Sequence, residues 1–230
     1  MNISGMNKLT LLDYPGHVAC IIFTQGCNLN CSFCHNSELI TVAKSGCQIK
    51  ESEVMKYLEK RKNILDGIVI SGGEPLMQPR IKALIKKIKA KGFKVKLDTN
   101  GTHYALLKEL IEEKLIDYVA MDIKSDFDTY ARITGRENYD FRCIENTIAL
   151  LAASGIDYEF RTTIVKEFHN QNKIENICAL IGQNSKYYLQ NYVESDQVLE
   201  KGLHGFTEVE LKELENNINL KFPNVKVRGL

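Results

Sequence analysis

The chain has no tryptophan, only four prolines and no low-complexity run among its 230 residues, so nothing in it reads as a linker. It also lacks an excess of either charge, with 30 Lys and Arg against 29 Asp and Glu. No global field calls for nucleic acid or a membrane surface, and a partner has to be recognised by a local surface. No apolar stretch approaches the roughly 20 residues that a helix needs to cross a bilayer. The opening residues MNISGMNKLTLLDYPG lack the charged start, apolar core and cleavage site of a secretory leader. The expected location is therefore a reducing cytoplasm. A single domain over residues 1–230 is long enough to bury a sizeable core.

Cysteine is concentrated in one place. Cys27, Cys31 and Cys34 fall within eight residues, and His35 follows at once. An iron–sulfur cubane takes four thiolate partners, and this segment supplies three. An iron left open can bind a group that is not protein, as a catalytic zinc keeps one position free. Zinc held by the three thiolates and His35 is the plainer alternative, but adjacent ligands would have to share one tetrahedron, whereas structural sites space their pairs by about two to four residues. Disulfides are the other alternative, and seven cysteines is an odd number. Cys20 reads as a core residue of a strand, and Cys47, Cys143 and Cys178 as structural, since free cysteine packs as a small hydrophobe.

Apolar runs suited to buried strands cover Val18–Thr24, Gly67–Ser71, Lys94–Asp98, Tyr118–Ile123, Tyr158–Val165 and Tyr187–Tyr192, with a short last strand at Val225 and Val227. Helical spacing falls between them, most clearly at Ile81, Leu84, Ile85 and Ile88. Further helices are expected over Glu51–Arg61, Tyr104–Lys114, Arg142–Ser154, Lys173–Ile181 and Glu208–Lys221. This alternation predicts an α/β fold with a parallel sheet. Ligands in such sheets gather at the carboxyl ends of strands, and the unusual residues lie there. The cysteine loop follows the first run, Gly72-Gly73-Glu74-Pro75 the second and Asp98-Thr99-Asn100-Gly101 the third. Asp122-Ile123-Lys124 ends the fourth, Arg161 lies in the fifth, and Gln190 and Asn191 in the sixth.

The pattern Gly26-Cys27-x3-Cys31-x-Phe33-Cys34, with GGEP after the next strand, resembles the radical S-adenosylmethionine superfamily. GCNLNCSFCHN with the later DTNG and DIK is similar to the glycyl-radical-enzyme activating enzymes, such as pyruvate formate-lyase activase. LLDYPG and the compact length are most similar to the activases of anaerobic (class III) ribonucleoside-triphosphate reductase. The resemblance implies a partial (β/α)6 barrel whose cofactor site lies at the C-terminal ends of the strands. It also implies a [4Fe–4S] cluster on Cys27, Cys31 and Cys34, with S-adenosylmethionine chelating the fourth iron. One electron then cleaves the sulfonium, and a 5′-deoxyadenosyl radical takes a hydrogen atom from a glycine of the partner. The cofactors carry the hard step, while protein positions them and excludes water.

By the same resemblance Gly72 and Gly73 hold the methionyl ammonium, and His35 joins the adenine-side wall or hydrogen-bonds near the cluster. Phe33 either contacts adenine or covers the cluster as a core aromatic. Glu74 contacts the cofactor or braces its loop. Asn100 belongs to the same cofactor-binding set. Asp98 and Asp122 bring two carboxylates to the rim, and these repel unless a cation separates them. Lys124 serves the cofactor carboxylate or ribose, or such an aspartate. Arg161, in an apolar strand, needs an anion, either that carboxylate or one of the aspartates. In pyruvate formate-lyase activase these strand ends also hold a monovalent cation, which here would fall to Asp98, Thr99, the Met121 backbone and Asp122. The chain departs from that activase after the sixth strand, where Gln190, Asn191 and Tyr192 replace a cofactor-contacting histidine and the next histidine is His204.

Lys82, Lys86, Lys87, Lys89, Lys91, Lys94 and Lys96 form a basic run. It reads as the solvated side of a helix and its exit, or as a dock for an acidic electron donor such as the flavodoxin that the resemblance implies. Two other functions compete with the activase. A small-molecule radical enzyme such as 7-carboxy-7-deazaguanine synthase shares the size and cluster, but the CHN sequence favours the activase. An iron–sulfur electron carrier would supply a fourth protein ligand, and no remaining cysteine sits in a ligand pattern.

Overall fold

A computed structural model describes residues 1–42, 48–136 and 140–228. Cys47 lies outside them. The chain divides into two compact units, the first formed by Met1–Asn28, Glu38–Thr99 and His103–Ala120, the second by Leu29–Ser37, Asn100–Thr102 and Met121–Leu230. Strand order follows chain order from β1 to β8.

In the first unit β1 (Ile3–Thr10) runs antiparallel to β2 (Ala19–Thr24), with Ile3 opposite Thr24 and Thr10 opposite Ala19. Strand β2 is parallel to β3 (Gly67–Gly72), and β3 to β4 (Lys94–Thr99). The Ile and Val residues of β2 and β3 are buried, as strands covered on both faces require. Helix α1 (Glu51–Lys60) precedes β3, α2 (Ile81–Ala90) precedes β4, and α3 (Tyr104–Glu112) follows it. Ile81, Leu84, Ile85 and Ile88 of α2 are buried, as their spacing predicts, and each contributes roughly 1.5–3 kcal/mol of transfer free energy.

The LLDYPG segment forms part of the same core. Tyr14 is buried against Ala19, Ile21, Val69, Tyr118 and Ala120, and its carbonyl accepts from His17 N–H. A Cβ at Gly67 would stand 2.6 Å from the Lys94 carbonyl oxygen and 3.0 Å from the Tyr14 ring, so glycine is what lets these strand starts close up. The motif thus sits at the amino ends of β2 and β3, the end opposite the cysteine loop.

In the second unit β6 (Asp157–Ile164), β7 (Tyr187–Asn191) and β8 (Val225–Arg228) are parallel, with Arg161 beside Tyr188 and Gln190 beside Arg228. Between them lie α4 (Phe127–Thr134), α5 (Arg142–Ser154), α6 (Gln171–Ile181) and α7 (Glu208–Asn219). Asn170 caps α6 by accepting from Lys173 N–H, and Thr207 with Glu210 forms a capping box on α7. Such caps satisfy backbone donors that a helix start leaves unpaired. Strand β5 (Tyr118–Asp122) begins in the first unit and ends in the second. Among the described residues, no helix is long and apolar enough to cross a membrane.

Each expected strand and helix is present with ends shifted by a few residues, and among the described residues one strand and one α-helix, besides two short 3-10 turns, were not expected. Strand β1 buries only Ile3 fully, so its sequence carries no clear alternation. Helix α4 has eight residues and ends at Gly135 with φ 65°, too short for its buried Tyr130, Ile133 and Thr134 to register as a period. Lys96 also departs from expectation. It belongs to β4, not to a solvated face, and is 1 % exposed.

Candidate active site

At the carboxyl ends of β2, β3 and β4 the first unit assembles Cys27, the GGEP loop and Asp98. Gly26 N–H donates to the Leu39 carbonyl at 2.7 Å and Cys27 N–H to that of Ile40 at 3.0 Å. The GGEP loop crosses this segment, with Gly73 N–H donating to the Thr24 carbonyl at 2.9 Å and Glu74 N–H to the Gly26 carbonyl at 2.8 Å. A Cβ at Gly72 would lie 2.2 Å from Thr24 N, and one at Gly73 would lie 2.3 Å from Gly26 O. The close approach that requires glycine here is therefore backbone against backbone.

Glu74 is fully buried and braces the loop, its Oε1 accepting from Leu76 N–H at 3.0 Å and from the Thr99 hydroxyl at 2.8 Å. The end of β3 is thereby tied to the end of β4. The Asp98 Oδ1 accepts from Lys96 Nζ at 2.5 Å, two residues back on the same face of the strand.

The second unit carries Cys31, Phe33, Cys34, His35, Asn100, Asp122, Lys124 and Arg161. Helix α4, invisible in the sequence, anchors the cysteine segment: Asn30 N–H donates to the Thr134 carbonyl at 2.9 Å and Ser32 N–H to that of Ile133 at 3.3 Å. Cys34 N–H closes a turn onto the Cys31 carbonyl at 3.0 Å. Phe33 is buried with Ile133, Val165, Phe168, Tyr192, Val198 and Leu203, so its ring is a core aromatic. The ring of His35 stacks on Tyr192 at 5.3 Å and 11°, and its Nε2 donates to the Val193 carbonyl at 2.8 Å.

Asp122 lies between two cations. Arg161 Nε donates to Oδ1 at 2.9 Å and Lys124 Nζ to Oδ2 at 3.2 Å. Burial alone would raise the carboxyl, but Arg161 and Lys124 together hold it down at about 2. Burial alone would likewise lower Lys124, yet Asp122 first, and then Cys31 and Cys34, push it above the ordinary lysine value.

His169 was not anticipated. It is buried, its Nδ1 accepts from Val165 N–H at 3.0 Å, and its Nε2 donates to the Lys124 carbonyl at 3.0 Å. Nothing local in the sequence marks it, because its partners are backbone atoms. Asn100 uses its carboxamide oxygen on Thr102 N–H at 3.1 Å and on the Thr102 hydroxyl at 2.6 Å, shaping the turn after β4. Asn191 pairs in both directions with the Phe206 backbone, each bond 2.8 Å. His204 pairs with Glu167 and is mostly exposed.

The remaining cysteines fit their structural readings where they are described. Burial pushes the Cys20 and Cys178 thiols up to about 12. Cys143 Sγ donates to the Asp140 carbonyl at 3.0 Å. The basic run is largely neutralised from within: Lys82 contacts Glu109 and Glu113, Lys86 Glu113, Lys87 Glu51, Lys89 Asp117 and Lys91 Glu59.

The donor chemistry fits a cluster with one open iron. Three thiols come from one short segment, and the Lys124 ammonium lies where the charge of Cys31 and Cys34 reaches it. The chain belongs to the Radical SAM superfamily, whose pattern matches residues 21–181, and that membership implies a [4Fe–4S] cluster and S-adenosylmethionine. Within it, a relative 36% identical over 99% of the chain makes it a member of the glycyl-radical-enzyme activating enzymes.

A protein of Methanocaldococcus jannaschii provisionally named a glycyl-radical enzyme activating enzyme is 36% identical over 237 residues, covering 99% of this chain and 96% of its own. The pyruvate formate-lyase-activating enzyme of Clostridium pasteurianum is 31% identical over 193 residues, covering 75% and 79%. Streptococcus suis SuiB bound to S-adenosylmethionine aligns with a TM-score of 0.69 at 16% identity, over 91% of this chain and 50% of that one. This chain thus spans about half of SuiB. TYW1 with a lysine-pyruvate adduct bound gives 0.63 at 20% identity, over 88% and 73%. These two likenesses show the fold class alone, the mostly parallel α/β arrangement expected of a partial (β/α)6 barrel.

Proposed function

We propose that this protein is a cytoplasmic, single-domain activase that reductively cleaves S-adenosylmethionine and removes a hydrogen atom from a glycine of a partner, anaerobic ribonucleoside-triphosphate reductase. The observation that carries the reading is the Asp122, Lys124 and Arg161 triad, whose Lys124 feels the charge of Cys31 and Cys34, in a chain nearly coextensive with its M. jannaschii relative. When bound, the cluster and S-adenosylmethionine supply one electron and a carbon-centred radical that takes the hydrogen.

The chain's own residues bind and orient. Cys27, Cys31 and Cys34 are the cluster ligands. Arg161 and Lys124 carry two positive charges against the one negative charge of Asp122, leaving a net positive triad suited to the cofactor carboxylate. The backbone of Gly72 and Gly73, braced from behind by Glu74, faces the methionyl ammonium. Phe33 supplies backbone beside adenine while its ring closes the core, and His35, locked on Tyr192, forms a flat wall. Asn100 and Asp98 complete the rim. The monovalent cation suggested by resemblance would have to share carboxylates with Lys96, Lys124 and Arg161.

The LLDYPG segment, with Tyr14 in the core, and the compact length favour the reductase partner. Pyruvate formate-lyase is the second reading, and the C. pasteurianum relative supports it. Flavodoxin as reductant gains little from α2, since the lysines of that helix face the chain's own carboxylates. The test is anaerobic reconstitution and reduction followed by product analysis. Methionine and 5′-deoxyadenosine are expected, with a glycyl radical signal when the reductase is added. No cofactor cleavage would remove the enzyme reading. Cleavage with a radical only on pyruvate formate-lyase would change the partner.

A further inference from the structure

Lys96 is the most deeply buried lysine among the described residues, 1 % exposed. A buried ammonium is stable only beside an anion, and Lys96 Nζ lies 2.5 Å from Asp98 Oδ1 and 5.8 Å from the centre of the Tyr118 ring. Both residues of the pair stand on one face of β4, two positions apart, so the strand itself delivers the counter-ion. The pair ends next to Thr99, whose hydroxyl proton goes to Glu74. A sodium or potassium ion at Asp98 would therefore meet an ammonium already in contact with the carboxylate, and like charges at that range repel strongly where water is excluded. In the second unit Asp122 is served in the same manner, one oxygen by Arg161 and the other by Lys124.

We propose that Lys96 is a built-in counter-cation and a positioning residue for S-adenosylmethionine, balancing and orienting Asp98 so that cofactor binding needs no monovalent metal ion. The proposal rests on the reading that this rim binds S-adenosylmethionine, and the experiment separates the two. Reconstituted holoprotein is titrated with S-adenosylmethionine in choline chloride, NaCl and KCl at equal ionic strength, with the dissociation constant read by equilibrium dialysis. Wild type is expected to give the same constant in all three, within about twofold. Lys96→Ala opens room at Asp98 and is expected to bind about tenfold more weakly in choline chloride, with recovery in KCl or NaCl.

A wild-type constant that tightens about tenfold with either metal ion overturns the proposal. So does a Lys96→Ala variant that binds normally in choline chloride, or one whose loss no ion repairs. If Lys96→Ala does not fold, the nearly isosteric Lys96→Met takes its place in choline chloride, and the wild-type salt series decides by itself. Absence of wild-type binding in every salt strikes the function reading instead.

Discussion

His169 donates from Nε2 to the carbonyl oxygen of Lys124 across 3.0 Å, fixing the backbone of a residue whose side chain reaches Asp122. Its Nδ1 accepts from Val165 N–H, so the ring is held as the neutral Nε2–H tautomer, and burial lowers its pKa from 6.5. An imidazole with both nitrogens committed to backbone has no spare acceptor for a second proton.

The first prediction follows from those two bonds. His169→Ala leaves a carbonyl and an N–H unpaired in the core, which costs about 1–3 kcal/mol for each group left without a partner. Because the folded pKa is depressed, the neutral ring favours the folded state at pH above 6.5, and this contribution fades as pH falls below that value. Thermal midpoints measured from pH 8 to pH 5 should decline more steeply for wild type than for His169→Ala. Parallel profiles would show that the ring is not held neutral.

The Asp122 triad gives an effect of the same sign at lower pH. Its carboxyl is held at about 2 against an ordinary 3.8, so its contribution is complete above 3.8 and is lost as pH falls toward 2. The group is partly exposed, which limits the contribution to about 1–2 kcal/mol. Arg161→Met removes the partner with the larger influence and should raise the acid-unfolding midpoint while weakening S-adenosylmethionine binding about tenfold. An unchanged acid transition would mean that solvent, not Arg161, sets the charge of Asp122.

What the sequence revealed and concealed divides along physical lines. Strands β2, β3 and β5 were legible because residues buried on both faces make continuous apolar runs, and Ile81 to Ile88 because one buried face repeats at helical spacing. Arg161 was legible as a charge in an apolar strand that had to find an anion, and it found Asp122. Lys96 was misplaced because a lysine among lysines looks solvated, and only the register of β4 turns it inward. His169 left no signal because its partners are backbone atoms that every residue possesses, and α4 left none because eight residues are too few to register a helical period.

Cluster assembly should discriminate among the cysteines without reference to activity. Alanine at Cys27, Cys31 or Cys34 removes one of three thiolates, and iron and sulfide content after reconstitution should fall to a small fraction of wild type. Cys20→Ala and Cys178→Ala should retain iron, since burial keeps both thiols protonated with pKa values near 12. Those two variants should instead lose about 1 kcal/mol of stability through lost packing. Iron retained in a Cys34→Ala protein, or lost in Cys178→Ala, would reassign the ligand set.

Gly73 offers the sharpest test of how the cysteine loop is held. A methyl group there would stand 2.3 Å from the Gly26 carbonyl oxygen and 2.9 Å from that of Leu39, and neither backbone atom can swing aside as a side chain could. The Gly26 carbonyl accepts from Glu74 N–H, and Gly26 N–H is bound to Leu39, so relieving the clash displaces the residue preceding Cys27. Gly155 provides the control. It carries a positive φ, 70°, but a methyl group there meets nothing within 4 Å, so alanine costs only the backbone strain of about 1 kcal/mol. Gly73→Ala should therefore lower cluster content several-fold while Gly155→Ala leaves it near wild type. If the two variants took up equal iron, the GGEP loop would not be what positions Cys27.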